Sequence, residues 1–245
     1  MATNPLSNLD KYEVLLASNS PRRRQLLADL GVTFRSVALS DIDESYPSDT
    51  PALDVAIVVA RKKAEAYSSL ISSNQLIITA DTVVICDGIV LGKPADIADA
   101  CRMLRMLSGK THHVVTGVTV STASRTEAFK AVTEVDFAQL SDDEIRFYVD
   151  NYRPLDKAGA YGIQEWIGCA GISGIRGSFY NVMGLPLQRL YTVLSSFGQH
   201  TAAIRRSPDG DRHPHSISTT AIHPSPPQPR FAGRPRRPAF TFHST

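Results

Sequence analysis

No run of about 18 apolar residues occurs in this 245-residue chain, so nothing in it reads as a membrane-spanning helix. Residues 1–11 are polar and lack the apolar stretch of a secretory signal. Cysteine is scarce. Cys86, Cys101 and Cys169 are odd in number and have no metal-type spacing, which argues against a disulfide scaffold or a zinc site. A reduced compartment, the cytosol, is the expected location. Neither GxxxxGK[ST] nor GxGxxG is present, which argues against a P-loop kinase or a dinucleotide enzyme. What is there is ordinary in bulk: 42% hydrophobic and 20% charged residues, enough for a sizeable core in one large domain or two lobes.

Charge divides the chain. The formal total is +2, yet residues 199–245 hold seven arginines against two aspartates, so residues 1–198 carry −3. That tail also holds eight of the fifteen prolines and five of the seven histidines. Its segment HPSPPQPRFAGRPRRP has no hydrophobic period and too little apolar surface to offset chain entropy. The expected organisation is a flexible N-terminus over 1–11, a globular body over 12–197 and a disordered, basic, proline-rich tail over 198–245. A nucleic-acid arm or a proline-rich ligand is the functional alternative for the tail.

Within the body, YEVLLAS (12–18) is a short apolar run closing on small polar residues, hence a buried strand. Ser20 is then the N-cap of a helix with Pro21 at its first position, Gly31 as its stop, and Leu26, Leu27 and Leu30 as its apolar stripe. A second strand follows at 33–39, then the acidic loop SDIDESYPSDT. Thr50 and Pro51 open a helix expected to reach about residue 70, with Val55, Val58, Val59 and Ala66 inward. QLIITAD (75–81) reads as a central strand covered on both faces, and Asp87–Gly88 as a hairpin turn between TVVIC and IVLGK. Residues 96–108 form an amphipathic helix with Met103, Leu104 and Leu107 inward. THHVVTGVTVST and EAFKAVTEVDFAQL alternate like antiparallel strands. Ser141 and Glu144 make a capping box for a helix to about Asn151, and a last helix follows Pro186. The fold class is α/β: a mixed, twisted sheet flanked by helices, in two lobes around a central cleft.

The stretch LLASNSPRRRQLL (15–27) sets Arg22, Arg23 and Arg24 at a helix N-terminus, whose partial positive charge disfavours cations. A bound anion resolves the conflict. The small loop from Ala17 to Ser20, Ser18 included, lets backbone N–H groups approach a phosphate, and the arginine forks suit its oxygens. Asp81 and Thr82, in TADTVV, are expected at the C-terminal end of a buried strand, where open α/β sheets hold their ligands. An aspartate there can hold Mg²⁺ or take a proton from water. The hairpin returns Lys93 of LGKP towards Asp81, and Lys63 of ARKKA lies on a helix able to face the same cleft. Asp41, Asp43 and Glu44 of the acidic loop offer further carboxylates. Gln164, which ends DKAGAYGIQ, carries an amide whose donor and acceptor suit the O4/N3–H edge of a pyrimidine. Asn181 of GSFYNVMGLP is a candidate for another wall of the cleft. Each of these also has a plain reading as a solvated charge, a turn or a strand end. His112 and His113 have no identifiable catalytic partner and read as structural.

Taken in order, LASNSPRRRQLL, ARKKA, ADTVV, LGKP, TGV, DKAGAYGIQ and GSFYNVMGLPL make the chain resemble the Maf family of nucleoside triphosphate pyrophosphatases over about residues 12–197. The resemblance implies hydrolysis of a nucleoside triphosphate between its α- and β-phosphates, with a divalent cation, Mg²⁺ or Mn²⁺. It implies Asp81 as the base that activates water, and Ser18, Arg22 and Arg23 as phosphate or substrate contacts. Lys63 and Lys93 match the family's two lysines. Glu44 matches the acidic-loop glutamate, beside Asp81 at the metal, although the loop is one residue longer here and Asp43 competes for that place. The resemblance ties base choice to Arg23, Thr82 and Gln164, and AYGIQ with YNVMGLP is similar to the branch acting on dTTP and UTP rather than on 7-methyl-GTP. A homodimer is implied by the resemblance alone; no membrane or nucleic-acid partner is expected. The rivals are a pyrophosphatase directed at purine or modified nucleotides and a non-catalytic nucleotide sensor. Two features depart from the family: Glu165 and Trp166 follow Gln164 where a glycine is usual, and the basic tail has no counterpart.

Overall fold

Apolar, β-branched runs build a single mixed sheet. In the computed structural model, which describes residues 4–37, 42–68 and 71–198, its strands are β1 (Glu13–Ala17), β2 (Arg35–Val37), β3 (Gln75–Cys86), β4 (Ile89–Leu91), β5 (Thr111–Ser121), β6 (Thr126–Phe137) and β7 (Ile172–Arg176). The order is β2-β1-β3-β5-β6-β7, with β4 paired to β3. β1 runs parallel to β2 and β3, and every other pairing is antiparallel. Asp41, the end of the second expected strand, residues 69–70 and the tail from residue 199 onward lie outside the described residues.

β3 organises the rest. Its residues Gln75–Thr79 pair with β1 and its residues Val84–Cys86 pair with β4, while β5 runs along the opposite edge from Ile77 to Ile85. Ala80 to Val83 therefore have no strand beside them on the first edge. This corrects the expected position of Asp81 and Thr82. They lie in the middle of a 12-residue strand, not at its end, because the strand continues into the hairpin after its parallel neighbour stops. The hairpin turn is as anticipated: Asp87 and Gly88 both have positive φ, 50° and 78°, as a tight two-residue turn requires.

Helices cover the sheet. α1 (Pro21–Asp29) starts under its Ser20 cap, and α2 (Val55–Ser68) follows a short 3₁₀ turn at Ala52–Asp54. Val55 and Val59 face inward, but Ala66 is exposed, because Tyr67 takes the inward position in that turn. α3 (Ile97–Leu107), α4 (Asp142–Tyr152) and α5 (Trp166–Ala170) pack around one end of β3 and β6; α7 (Leu187–Ser196) packs with α1 around the other. The expected two lobes correspond to the two larger apolar clusters on one continuous sheet, with the short α6 (Phe179–Met183) between them and two smaller clusters under α2.

Residues 6–9 of the N-terminal segment pack against the body. Residues 7–9 form a 3₁₀ turn, Leu6 and Leu9 are buried, and Asn8 Nδ2 donates to the carbonyls of Leu194 and Phe197 at the end of α7. Burying two leucines contributes about 1.5–3 kcal/mol each, enough to order a segment whose overall polarity reads as flexible. No described helix is long and apolar enough to cross a membrane.

α2 reaches the sheet at Gly117. A Cβ there would lie 2.4 Å from the Ala56 carbonyl oxygen and the Ile57 Cα. Backbone cannot yield as a side-chain tip does, so Gly117→Ala should lower stability by at least about 2 kcal/mol in urea denaturation. A loss below about 0.5 kcal/mol would mean that α2 is not seated on that residue.

Candidate active site

The open edge of β3 is occupied by a side chain. Arg23, in the first turn of α1, donates from Nη1 to the Ala80 carbonyl at 2.8 Å, from Nη2 to Thr82 Oγ1 at 2.9 Å and from Nε to the Gly184 carbonyl at 2.8 Å. The guanidinium thereby gives the Ala80 carbonyl the donor that a neighbouring strand would have supplied. Desolvation lowers its pKa and the Asp81 charge opposes that shift, but an arginine stays charged regardless. The bonding continues inward: Thr82 and Thr116 hydroxyls meet at 2.9 Å, and Thr116 donates to the Asn181 carbonyl at 3.1 Å. Asn181 Nδ2 donates in turn to Val114 O and Thr133 Oγ1, both at 3.0 Å. Thr116 and Asn181 are wholly buried, so Asn181 lies behind the cleft wall rather than in it.

Arg22 points the other way, donating from Nη1 to Asp156 Oδ2 at 2.8 Å. Arg24 turns back to the Asn19 carbonyl at 3.3 Å.

The carboxylates converge on one lysine. Lys63 Nζ lies 2.8 Å from Asp81 Oδ1 and 2.9 Å from Glu44 Oε1. Two features of the sheet seat α2 so as to bring it there. Gly117, directly across the sheet from Asp81, admits the helix backbone, and Thr79 Oγ1 donates to the Ala60 carbonyl at 2.7 Å. Asp43 does not compete. It accepts from the backbone N–H and hydroxyl of Ser45 and from Lys62, bonds that hold its carboxyl down at about 2, and it does not line the cleft. Among the described residues no group of three or more His, Cys, Asp or Glu side chains could hold a metal. Asp81 and Glu44 nonetheless share one ammonium, as two carboxylates share a hard cation whose other ligands are water and phosphate oxygens. The pair fits a cation of that kind.

The cleft has a volume of about 720 Å³, and Ser18, Arg22, Arg23, Glu44, Lys63, Asp81, Thr82, Lys93 and Gln164 all line it. Lys93 and Gln164 are exposed, and neither has a hydrogen-bond or ion-pair partner among the described residues, so both are available to a ligand. Ser18 Oγ accepts from the Ser20 N–H at 3.2 Å, which closes the loop leading into α1.

Among the lining residues that the sequence reading did not single out are Asp156, Lys157 and Tyr161. These three belong to DKAGAYGIQ, whose unusual run of small residues was the available signal. Lys157 is almost fully buried and pairs with Asp156 at 2.7 Å and Glu165 at 3.1 Å. Tyr161 is held from behind by His112 Nε2 at 2.7 Å. His112 is wholly buried against the edges of Phe137 and Tyr161, and desolvation brings its pKa down to about 4.

The cleft can therefore receive a polyanion. Arg22, Lys63 and Lys93 supply positive charge, Asp81 supplies a carboxylate on the strand edge, and Gln164 supplies an uncommitted amide.

A family model described as Maf-like protein matches residues 13–197. The chain is similar to a Bacteroides thetaiotaomicron protein named dTTP/UTP pyrophosphatase, 54% identical over 189 residues, which are 77% of this chain and 98% of that one. A Porphyromonas gingivalis protein of the same name is 54% identical over 196 residues, 79% of this chain and 98% of that one. Another, from Flavobacterium psychrophilum, is 44% identical over 185 residues, 76% and 94% of the two chains.

His112 makes stability depend on pH. Its folded pKa of about 4 lies below the ordinary imidazole value of 6.5, so the unfolded chain binds the proton more readily between those values. Stability is complete above about 6.5 and declines as pH falls towards 4, by about 3 kcal/mol in all. His112→Gln should flatten that limb of a stability profile measured in urea. An unchanged slope would assign the acid loss to carboxylates instead.

Proposed function

This chain belongs to the Maf family, and on that premise we propose that it is a nucleoside triphosphate pyrophosphatase acting on dTTP and UTP, releasing the monophosphate and pyrophosphate. The observation that carries the reading is Asp81, exposed to the cleft on an unpaired strand edge and joined to Glu44 through Lys63, with Arg22 and Lys93 in the same walls.

Asp81 orients and deprotonates the water that attacks the triphosphate. Lys63 Nζ, 2.8 Å from Asp81 Oδ1, fixes where that carboxylate points. Arg22 and Lys93 take phosphate oxygens and stabilise charge as the bridging oxygen departs with pyrophosphate. Arg22 must leave Asp156 to do so. Ser18 and the small loop before α1 offer hydrogen bonds to the same anion. Asp81 and Glu44 would hold a divalent cation, Mg²⁺ or Mn²⁺, which when bound neutralises phosphate charge. At the other end of the cleft, Gln164 reads the O4/N3–H edge of a pyrimidine. Arg23 and Thr82 influence base choice from the wall, Arg23 chiefly by holding Thr82 and the Gly184 turn in position. Catalysis belongs to residues 12–197, with no part assigned to the tail. The unpaired cysteines suit a reducing cytosol.

The test is pyrophosphate release with Mg²⁺ across ribo- and deoxyribonucleoside triphosphates. UTP and dTTP should turn over well above ATP and GTP. Preference for a purine would instead indicate a purine-directed enzyme, and no turnover from folded protein a nucleotide sensor. Asp81→Asn should keep the fold, checked by circular dichroism, and reduce turnover at least about 100-fold. Near-normal turnover would remove Asp81 from the role of base. Gln164→Glu, which removes the amide's donor, should weaken pyrimidine preference more than overall rate; an unchanged substrate ranking would count against that assignment.

A further inference from the structure

The Gln164 amide has no hydrogen-bond partner among the described residues, so its aim rests on the backbone that carries it. One phenol ties that backbone on both sides. Tyr148, wholly buried on α4, accepts from the Gly162 N–H at 3.0 Å and donates its own O–H to Glu165 Oε2. The other carboxylate oxygen of Glu165 lies 3.1 Å from Lys157 Nζ, and the same ammonium holds Asp156 at 2.7 Å. The turn closes where the Glu165 N–H donates to the Gly162 carbonyl at 3.0 Å. α5 then folds back so tightly that a Cβ on Gly168 would lie 1.7 Å from the Ile163 carbonyl oxygen.

A lysine–glutamate pair with both side chains largely out of water loses hydration that apolar packing would not lose, so added stability is a weak explanation for it. Geometry is a better one. Burial and the Glu165 charge both raise the Tyr148 pKa, so the phenol keeps its proton and stays a donor. Residues 162 and 165, on either side of Gln164, are thus fastened to a single oxygen on a helix that is itself fixed by a complete capping box. Neither Tyr148 nor Glu165 lines the cleft.

We propose that Tyr148 and Glu165 are positioning residues for base selection, fastening residues 162–165 so that the Gln164 amide meets the pyrimidine edge. This rests on the base-reading role given to Gln164 above.

The experiment is steady-state kinetics of the full chain on UTP and CTP, with inhibition by pyrophosphate as a measure independent of the base. Wild type is compared with Tyr148→Phe, Glu165→Gln and Gln164→Ala. Tyr148→Phe and Glu165→Gln should lower the UTP-to-CTP ratio of kcat/KM by about fivefold through KM for UTP. Their kcat on UTP and their pyrophosphate inhibition should be unchanged. Tyr148→Phe removes one atom, so it keeps the test available if Glu165→Gln folds poorly. If Gln164→Ala collapses the ratio while both positioning variants keep it, or lose activity equally on UTP and CTP, Tyr148 and Glu165 serve the fold alone and the proposal is overturned. If Gln164→Ala leaves the ratio intact, base reading by Gln164 is itself wrong and the proposal falls with it.

Discussion

The arrangement at the cleft depends on one guanidinium beside one strand. β1 offers five residues to β3, and β3 is twelve long, so part of its edge is left without a partner. An exposed strand edge needs either water or another donor, and Arg23 supplies donors to Ala80 and Thr82 from the start of α1. Because its Nε also holds the Gly184 carbonyl, the same side chain ties together three parts of the chain that are far apart in sequence. Asp81 stands between the two residues that Arg23 contacts and is paired to β5 at Gly117 on the other edge. A site built this way sits on a rigid element, which is what precise alignment of a carboxylate and a phosphate needs.

Charge in the cleft is balanced in pairs before any ligand arrives. Lys63 answers Asp81 and Glu44, Arg22 answers Asp156, and Lys157 answers Asp156 and Glu165. Lys93 has no such partner among the described residues, and Arg23 spends its charge on carbonyl and hydroxyl oxygens. A polyanion entering the cleft therefore exchanges one set of ion pairs for another, and the cations need no separate desolvation step. The exchange also favours ligands with several negative charges over those with one, since a single charge gains less than the broken pair loses.

Much of this was legible locally. The Ser20 cap, the Asp87–Gly88 turn and the Ser141–Glu144 box announce element boundaries by chemistry acting within four residues. The candidate site residues could be chosen because each sits in a short stretch of unusual composition. What the residues could not reveal depends on partners far along the chain. Nothing near Arg23 announces that a strand edge will be open beside it, nor does Lys157 announce its burial. Leu6 and Leu9 read as part of a polar segment until α7 supplies the surface they cover. Asp43 and Glu44 are equivalent in sequence and separate only when Ser45 and Lys62 claim the first and Lys63 the second.

The grip of Asn8 on the end of α7, with Lys11 reaching the Gly198 carbonyl, has a topological meaning. The two ends of the folded body meet at a seam. No residue lining the cleft comes from before Ala17 or after Gly184, so that seam lies outside the working part of the chain. The body is in effect a loop closed by hydrogen bonds, and a peptide bond across the seam, with new termini opened at an exposed turn, would give a circular permutant with the same core and the same cleft.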